Sequence, residues 1–327
     1  MSAEDGGAGA GLKPAPTREI ANKILFVFLD GVGLGVDDPA ANPFVAARTP
    51  FLDELLGGDL TASLPKRLEP RFTFKHLDAR LGYSGLPQSA TGQTALLTGK
   101  NGAAVMNGHY GPWPGPTLKT VLDGGTLFSD MLESGGRAQL ANAYPPGYFA
   151  AVAAGKQKEN VPVYGAKVAG LSLQTLQDYR AGNAASVDLT GEYLQRFEPD
   201  LPLLTPFETG QHLAELATRA DFTFFDFWPT DATGHRGSFA EAVALVEKLD
   251  AFLSGVVTGL DGVTLLITSD HGNLEDKTTR SHTTAPVPLL VIGPGAEFFR
   301  EADSLLDVAP LIREVLGLTA RRTVAAG

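Results

Sequence analysis

The apolar positions of this chain fall into short unbroken runs, separated by stretches with three- and four-residue spacing. Residues 23–29, 222–228, 263–268 and 286–292 are such runs, β-rich and apolar on both faces. Runs of this length predict central strands of a buried parallel sheet. Residues 137–143 read as a further strand. Between the runs, residues 49–56 begin like a helix, with Pro50 in the first turn. Residues 90–98 read as a helix starting just after Ser89, and residues 126–134 as an amphipathic helix stopped by Gly135 and Gly136. The clearest helix is residues 238–260, where Phe239, Val243, Val246, Leu249, Leu253 and Val256 mark one face. A last helix is predicted over residues 307–316. The alternation predicts an α/β fold: a three-layer arrangement with a mostly parallel central sheet and helices on both faces.

Two segments break this rhythm. Residues 144–204 contain no strong strand run and several Gly and Pro, so they read as a small cap-like insertion over the active-site side. It would divide the α/β core into residues 22–143 and 205–327. Residues 60–87 look irregular and are expected to form a second covering loop. Residues 1–21 are expected to be a disordered tail. The first 19 of them are rich in Gly, Ala and Pro and lack the apolar stretch of a secretory signal.

Composition narrows the chemistry. The chain has 327 residues and a net charge of −11, with no basic stripe, which argues against binding nucleic acid. An anionic substrate would need local cations to overcome that field. No cysteine is present, so disulfides, thiolate catalysis and thiolate metal sites are excluded. No stretch approaches the roughly 18 apolar residues of a membrane span. These features fit a cytoplasmic enzyme without a membrane or nucleic-acid partner, and none of them specifies an oligomeric state.

The candidate chemistry lies at the ends of the strand-like runs. Asp30 follows the first, Asp231 and His235 follow the second, Asp270 and His271 follow the third, and His282 precedes the fourth. Each has an ordinary reading by itself. Asp270-His271 could cap a turn, Asp231 and His235 could lie in a solvated loop after Pro229, His282 could be a surface histidine, and Asp30 a turn residue. Together they are more informative, because ligands of open α/β sheets collect outside the carboxyl ends of the strands. A mixed imidazole and carboxylate set suits Zn2+ or Mn2+, whereas an all-oxygen set would suit Mg2+. Two phosphate-loop patterns fail: Val36 stands where the third Gly of a dinucleotide fingerprint belongs, and Asn101 replaces the Ser/Thr of a P-loop.

The stretches 28–33, 49–55, 231–235, 269–273 and 281–288 resemble the metalloenzyme branch of the alkaline phosphatase superfamily. Within it, they are most similar to cofactor-independent phosphoglycerate mutases and phosphopentomutases. The resemblance implies two divalent metal ions, Mn2+ or Zn2+ with Mg2+ as a further option. One would be held by Asp30, the nucleophile, Asp270 and His271, the other by Asp231, His235 and His282. It also implies a Ser or Thr nucleophile at a helix start with Gly ten residues later. Ser89, with Gly92 and Gly99 following, fits that pattern, and Thr91 and Thr94 are the alternatives.

The chain also departs from the mutases. Gln93 stands where their nucleophile motif has His, and residues 144–204 contain no His and only Lys156, Lys158, Lys167, Arg180 and Arg196 as cations. The expected activity is therefore a two-metal phosphohydrolase or phosphotransferase that acts on a small phosphorylated substrate through a phosphoseryl intermediate. A phosphomutase is one alternative, and a catalytically inactive metal-bound binding module is another. Candidate phosphate contacts are Gln93, Lys100, Asn101, His109, Arg236 and Arg280; each could equally be a solvated surface residue.

Overall fold

Seven strands hydrogen-bond into one sheet in a computed structural model that describes residues 23–318. The expected tail at residues 1–21 lies outside the described residues. The strands are β1 (Ile24–Leu29), β2 (Arg67–Glu69), β3 (Phe72–Leu77), β4 (Ala138–Leu140), β5 (Phe222–Phe227), β6 (Thr264–Thr268) and β7 (Val287–Ile292). Their order is β2-β3-β7-β6-β1-β5-β4. β4, β5, β1 and β6 run parallel to one another, with Phe28 opposite both Asp226 and Thr268.

Alternation along the strands separates two cores. Ile24, Phe26 and Phe28 of β1 join Phe222, Phe224 and Leu266 on one face. That face is covered by the helices Ser89–Thr98, Leu127–Glu133, Val161–Val168 and Leu305–Val315. Leu25, Val27 and Leu29 join Phe225, Phe227 and Leu265 on the other, under Pro50–Leu56, Pro206–Ala217 and Phe239–Gly259. Strands buried on both faces have no polar side to alternate with, which is why their runs are continuously apolar. The longest helix starts with Ser238 and Glu241 in a reciprocal capping box.

Two expectations and one alternative reading need correction. The fourth run, β7, is antiparallel to β6 rather than parallel, with Thr268 opposite Leu289. Residues 60–87 are not simply a covering loop. β2 and β3 lie there, and β3 pairs with β7. Buried Thr73 and Lys75 interrupt the apolar run of β3; Lys75 Nζ is satisfied by Asp303 Oδ1 at 2.8 Å and by the Arg300 carbonyl at 2.9 Å. Finally, Asp231 and His235 do not lie in a loop after a break at Pro229, because Pro229–Arg236 is a helix with Pro in its first turn.

Residues 144–204 contain four helices and no named strand. Val161, Val163 and Ala166 belong to the main core with Leu97 and Phe128. Leu176, Tyr179, Ala184, Leu194 and Leu201 form a small cluster of their own with Ala143. Among the described residues no helix is long and apolar enough to cross a membrane.

Phe224 is the keystone of the first core: its ring centroid lies 4.8 Å from Phe26, 5.8 Å from Phe28 and 5.9 Å from Phe128. Phe224→Ala should lower stability by about 3–5 kcal/mol. In urea unfolding this would appear as an earlier midpoint with an unchanged slope.

Candidate metal centre

The parallel strands β1, β5 and β6 bring Asp30, the Pro229–Arg236 helix and the 269–273 loop to one edge of the sheet. Because β7 runs antiparallel to β6, its beginning lies at that same edge. The antiparallel turn-back thus delivers His282, five residues before Val287, and Gly272 and Thr283 form a bridge between the two loops.

Two clusters meet there. His235 Nε2 lies 3.0 Å from His282 Nε2, and Asp231 Oδ1 is 3.3 Å from the first and 3.5 Å from the second. The i, i+4 spacing of Asp231 and His235 on one helix puts both on the same face. In the other cluster, His271 Nε2 lies 3.0 Å from Ser89 Oγ, 3.4 Å from Asp30 Oδ1 and 3.6 Å from Asp270 Oδ2. The His271 and His282 rings stack with centroids 3.7 Å apart, joining the clusters. The described residues that could share an ion group as Asp231, His235 and His282, and as Asp30, Asp231 and His271.

Hydrogen bonding fixes what these imidazoles offer. Nδ1–H of His235 donates to the Arg280 carbonyl at 2.6 Å, that of His282 to the Pro87 carbonyl at 2.7 Å, and that of His271 to the Gly272 carbonyl at 3.3 Å. In the neutral tautomers so selected, all three Nε2 atoms present lone pairs toward carboxylates and toward each other. Such an arrangement is repulsive unless positive charge sits at its centre, so the residues fit a cation.

The ionisation preferences also draw positive charge to the cluster: burial acts downward on His282, but the hydrogen bonds to Asp231 and the Pro87 carbonyl outweigh it and raise the group. Burial pushes Asp30 well above the usual carboxylate range, and nearby Asp270, Asp231 and Asp226 add to the effect. Burial, aided by Asp231, raises Asp270 to about 7 against the hydrogen bond from Gln93. Burial pushes His271 down to about 3, keeping its ring neutral. Burial acts upward on Asp231, but His282, His271, Asn273 and His235 outweigh it and hold the group at about 2.

The surrounding residues serve as braces. Gln93 Nε2 donates to Asp30 Oδ2 at 3.2 Å and to Asp270 Oδ2 at 2.9 Å. Asn273 Nδ2 donates to Asp231 Oδ1 at 2.6 Å. Gly92 lets the helix that begins at Ser89 approach Asp270, since a Cβ there would lie 2.9 Å from Asp270 Cβ. Gly234 makes room for Asn273: a Cβ there would come within 2.5 Å of the Asn273 side chain.

Ser89 is the first residue of its helix. Thr91 Oγ1 donates to the Gln88 carbonyl and Thr94 Oγ1 to the Ala90 carbonyl, so both hydroxyls are engaged with backbone. Of the candidate phosphate contacts, Gln93 and exposed Arg236 line the cavity beside Ser89. Gln93 is, however, engaged with the two carboxylates. Lys100 and Asn101 lie beyond the far end of the ten-residue Ser89 helix, about 15 Å along its axis. Asn101 there caps the next helix and donates to the Leu81 carbonyl. His109 and the Arg280 side chain are not among the cavity-lining residues, and Arg280 contributes its carbonyl to His235 instead.

The sequence reading missed Asp226, a buried carboxylate in the cavity wall whose signal was a single charge in the Phe-rich run of β5. It also missed Glu275, buried where it accepts from the Gly33 and Asn273 backbone N–H groups and the Thr283 hydroxyl.

A family model described as the Metalloenzyme superfamily matches residues 207–320, the segment carrying Asp231, His235, Asp270, His271 and His282. The alkaline phosphatase from the Antarctic bacterium TAB5 has a similar fold, with a TM-score of 0.56 at 11% identity over 93% of this chain and 100% of that one. Residues 207–320 thus carry the match to the Metalloenzyme superfamily, and the chain as a whole has an alkaline-phosphatase-like fold. Another fold relative is the cold-active alkaline phosphatase from a psychrophilic Shewanella, with a TM-score of 0.51 at 13% identity, covering 90% of this chain and 99% of that one. In sequence, the chain is 39% identical over 109 residues to the 2,3-bisphosphoglycerate-independent phosphoglycerate mutase of Pseudomonas fluorescens. That match covers 31% of this chain and 21% of the mutase, so the chain spans about a fifth of the length of the curated relatives it matches.

Asp270→Asn replaces a carboxylate by a neutral amide at the centre of this cluster. Bound Zn2+ or Mn2+ per chain, measured by elemental analysis after dialysis, should fall by at least about tenfold at limiting metal. Unchanged metal content would remove Asp270 from the ligand set.

Proposed function

We propose that the protein is a two-metal phosphohydrolase acting on a small phosphate monoester, with Ser89 as the nucleophile. The observation that carries this reading is the position of Ser89 Oγ, 3.0 Å from His271 Nε2 at a helix start, between the two histidine–carboxylate clusters and a cavity of about 590 Å³. Asp30, Asp270 and His271 with Ser89 would hold one divalent ion, and Asp231, His235 and His282 the other, with Zn2+ and Mn2+ suited to such a donor set. When bound, the ions supply Lewis-acid neutralisation of phosphate charge.

The chain's own residues do the rest. Buried His271 keeps an unprotonated Nε2 beside the serine hydroxyl. Backbone N–H groups of the first helical turn at Ser89 and Ala90 favour the anionic phosphate. Ser89 Oγ attacks phosphorus; the serine O–P bond forms, the P–O bond to the alcohol breaks, and the alcohol leaves with a proton. Water then cleaves the phosphoserine, releasing phosphate and restoring the hydroxyl. Gln93 and Asn273 hold the carboxylates in place during both steps. Residues 144–204 act as the small cap, since Tyr144, Tyr148, Asn160 and Tyr193 line the cavity above the nucleophile.

A mutase is the second reading, favoured by the 39% identical stretch shared with phosphoglycerate mutases. The short cap favours hydrolysis, because a mutase must hold its intermediate away from water while it turns round.

Ser89→Ala should lower phosphate release from a panel of monoesters at saturating Mn2+ or Zn2+ by on the order of 10⁶. Six other ligands remain, so metal content should change little. A variant that kept more than about a tenth of the activity would exclude Ser89 as nucleophile, because a lost covalent nucleophile costs far more. Isomerisation without phosphate release would favour the mutase, and full metal occupancy with no turnover would favour a binding module.

A further inference from the structure

Three of the segments that carry candidate ligands meet at one buried side chain. Glu275 is 1% exposed, does not line the cavity, and is in neither group of described residues that could share an ion. Its Oε2 accepts from the Gly33 N–H at 2.9 Å and from the Asn273 N–H at 2.7 Å, and its Oε1 accepts from the Thr283 hydroxyl. Gly33 stands three residues after Asp30, Asn273 two after His271, and Thr283 next to His282. Asn273 extends the set to a fourth segment, because its side chain donates to Asp231 Oδ1 at 2.6 Å.

The fit around this carboxylate is close. A Cβ at Gly33 or at Gly272 would collide with it. Backbone bonds draw the same loops together: Leu274 N–H donates to the Gly31 carbonyl at 2.9 Å, and Thr283 N–H to the Gly272 carbonyl at 3.0 Å. Two residues on, Lys277 Nζ donates to the Thr233 and Gly234 carbonyls at 2.9 and 2.6 Å, on the helix that bears Asp231 and His235. The chemistry at the junction calls for an acceptor. All three partners of Glu275 donate, and the Thr283 oxygen already accepts from the Ala285 N–H at 3.2 Å, which leaves its proton for the carboxylate. An apolar residue in that place would strand two backbone N–H groups and a hydroxyl.

We infer that Glu275 is a positioning residue for the metal centre. By tying the loops after β1, after β6 and before β7 to one carboxylate, it sets the spacing of Asp30, His271 and His282, and through Asn273 the direction of Asp231. The inference rests on the two-metal reading of the site. Glu275 touches no ion in that reading; it brings the ligands to their spacing before an ion arrives, and so governs how tightly the centre holds one.

Metal affinity tests this independently of turnover. The metal-free full chain is titrated calorimetrically with Mn2+ or Zn2+ as wild type, Glu275→Ala, Glu275→Gln and Asp250→Ala. Glu275→Ala should weaken binding by about ten- to a hundredfold. Glu275→Gln can accept both N–H groups on its amide oxygen and donate to the Thr283 oxygen, so its affinity should stay within about threefold of the wild type. Asp250 is also buried and also accepts two backbone N–H groups, those of Phe51 and Leu52 at the start of the Pro50–Leu56 helix. Asp250→Ala should therefore leave metal affinity unchanged. An equal loss in Asp250→Ala would make the effect one of general stability, an equal loss in Glu275→Gln would make it one of charge, and either overturns the inference. If Glu275→Ala does not fold, Thr283→Val, which withdraws one donor, decides: a loss of at least about threefold supports the inference, and unchanged affinity overturns it. A wild type that binds neither ion overturns the two-metal reading and the inference with it, whereas wild-type affinity in Glu275→Ala overturns the inference alone.

Discussion

Four carboxylates converge at one edge of the sheet, and three of them, Asp30, Asp226 and Asp270, are shut away from water. Two like charges about 4 Å apart cost about 4 kcal/mol even in the moderately polarisable environment typical of proteins. That repulsion is the constraint on which the rest of the site depends. It explains why amides rather than more acids surround the cluster: Gln93 on Asp30 and Asp270, Asn273 on Asp231, Asn160 on Asp226. It also explains why three imidazoles turn their unprotonated edges inward, with their N–H groups on backbone carbonyls. The amide braces are neutral and burial keeps His271 neutral, so much of the positive charge that balances the cluster is left for a bound ion to provide.

The fold meets this constraint by using strand direction. Parallel strands β5, β1 and β6 point their ends at the same edge, and antiparallel β7 starts there. Ligands can thus be carried on loops after some strands and before another, while the strands themselves remain apolar. The helices that bear Ser89 and Asp231 lean in against Asp270 and Asn273 through glycines, so side chains on different elements close to hydrogen-bonding range.

Much of this was legible from residue order, for a physical reason. A strand buried on both faces must be apolar throughout, so an acidic residue at or soon after its end stands out, as Asp30, Asp231 and Asp270 do. What escaped was whatever broke that contrast. β3 was hidden because Lys75 is buried on an ion pair with Asp303. The direction of β7 left no mark in its composition, since antiparallel pairing demands the same apolar residues. The helix carrying Asp231 and His235 was hidden by its polarity and its leading proline. Asp226 was visible as an isolated charge among phenylalanines, but only the folded chain places it in the wall of the cavity beside Asp30.

The antiparallel return of β7 also governs when the centre can exist. Its donors are spread from Asp30 to His282, and His282 is placed by a strand that pairs with both β6 and β3. During synthesis the first donor emerges some 250 residues before the last, counted from their positions in the chain. A nascent chain therefore carries the acidic members of the candidate centre before His282, and the cluster closes only once the sheet is nearly whole. Because the affinity of such a site is part of the free energy of folding, the ion would act as a late lock on the finished sheet rather than as a nucleus for building it.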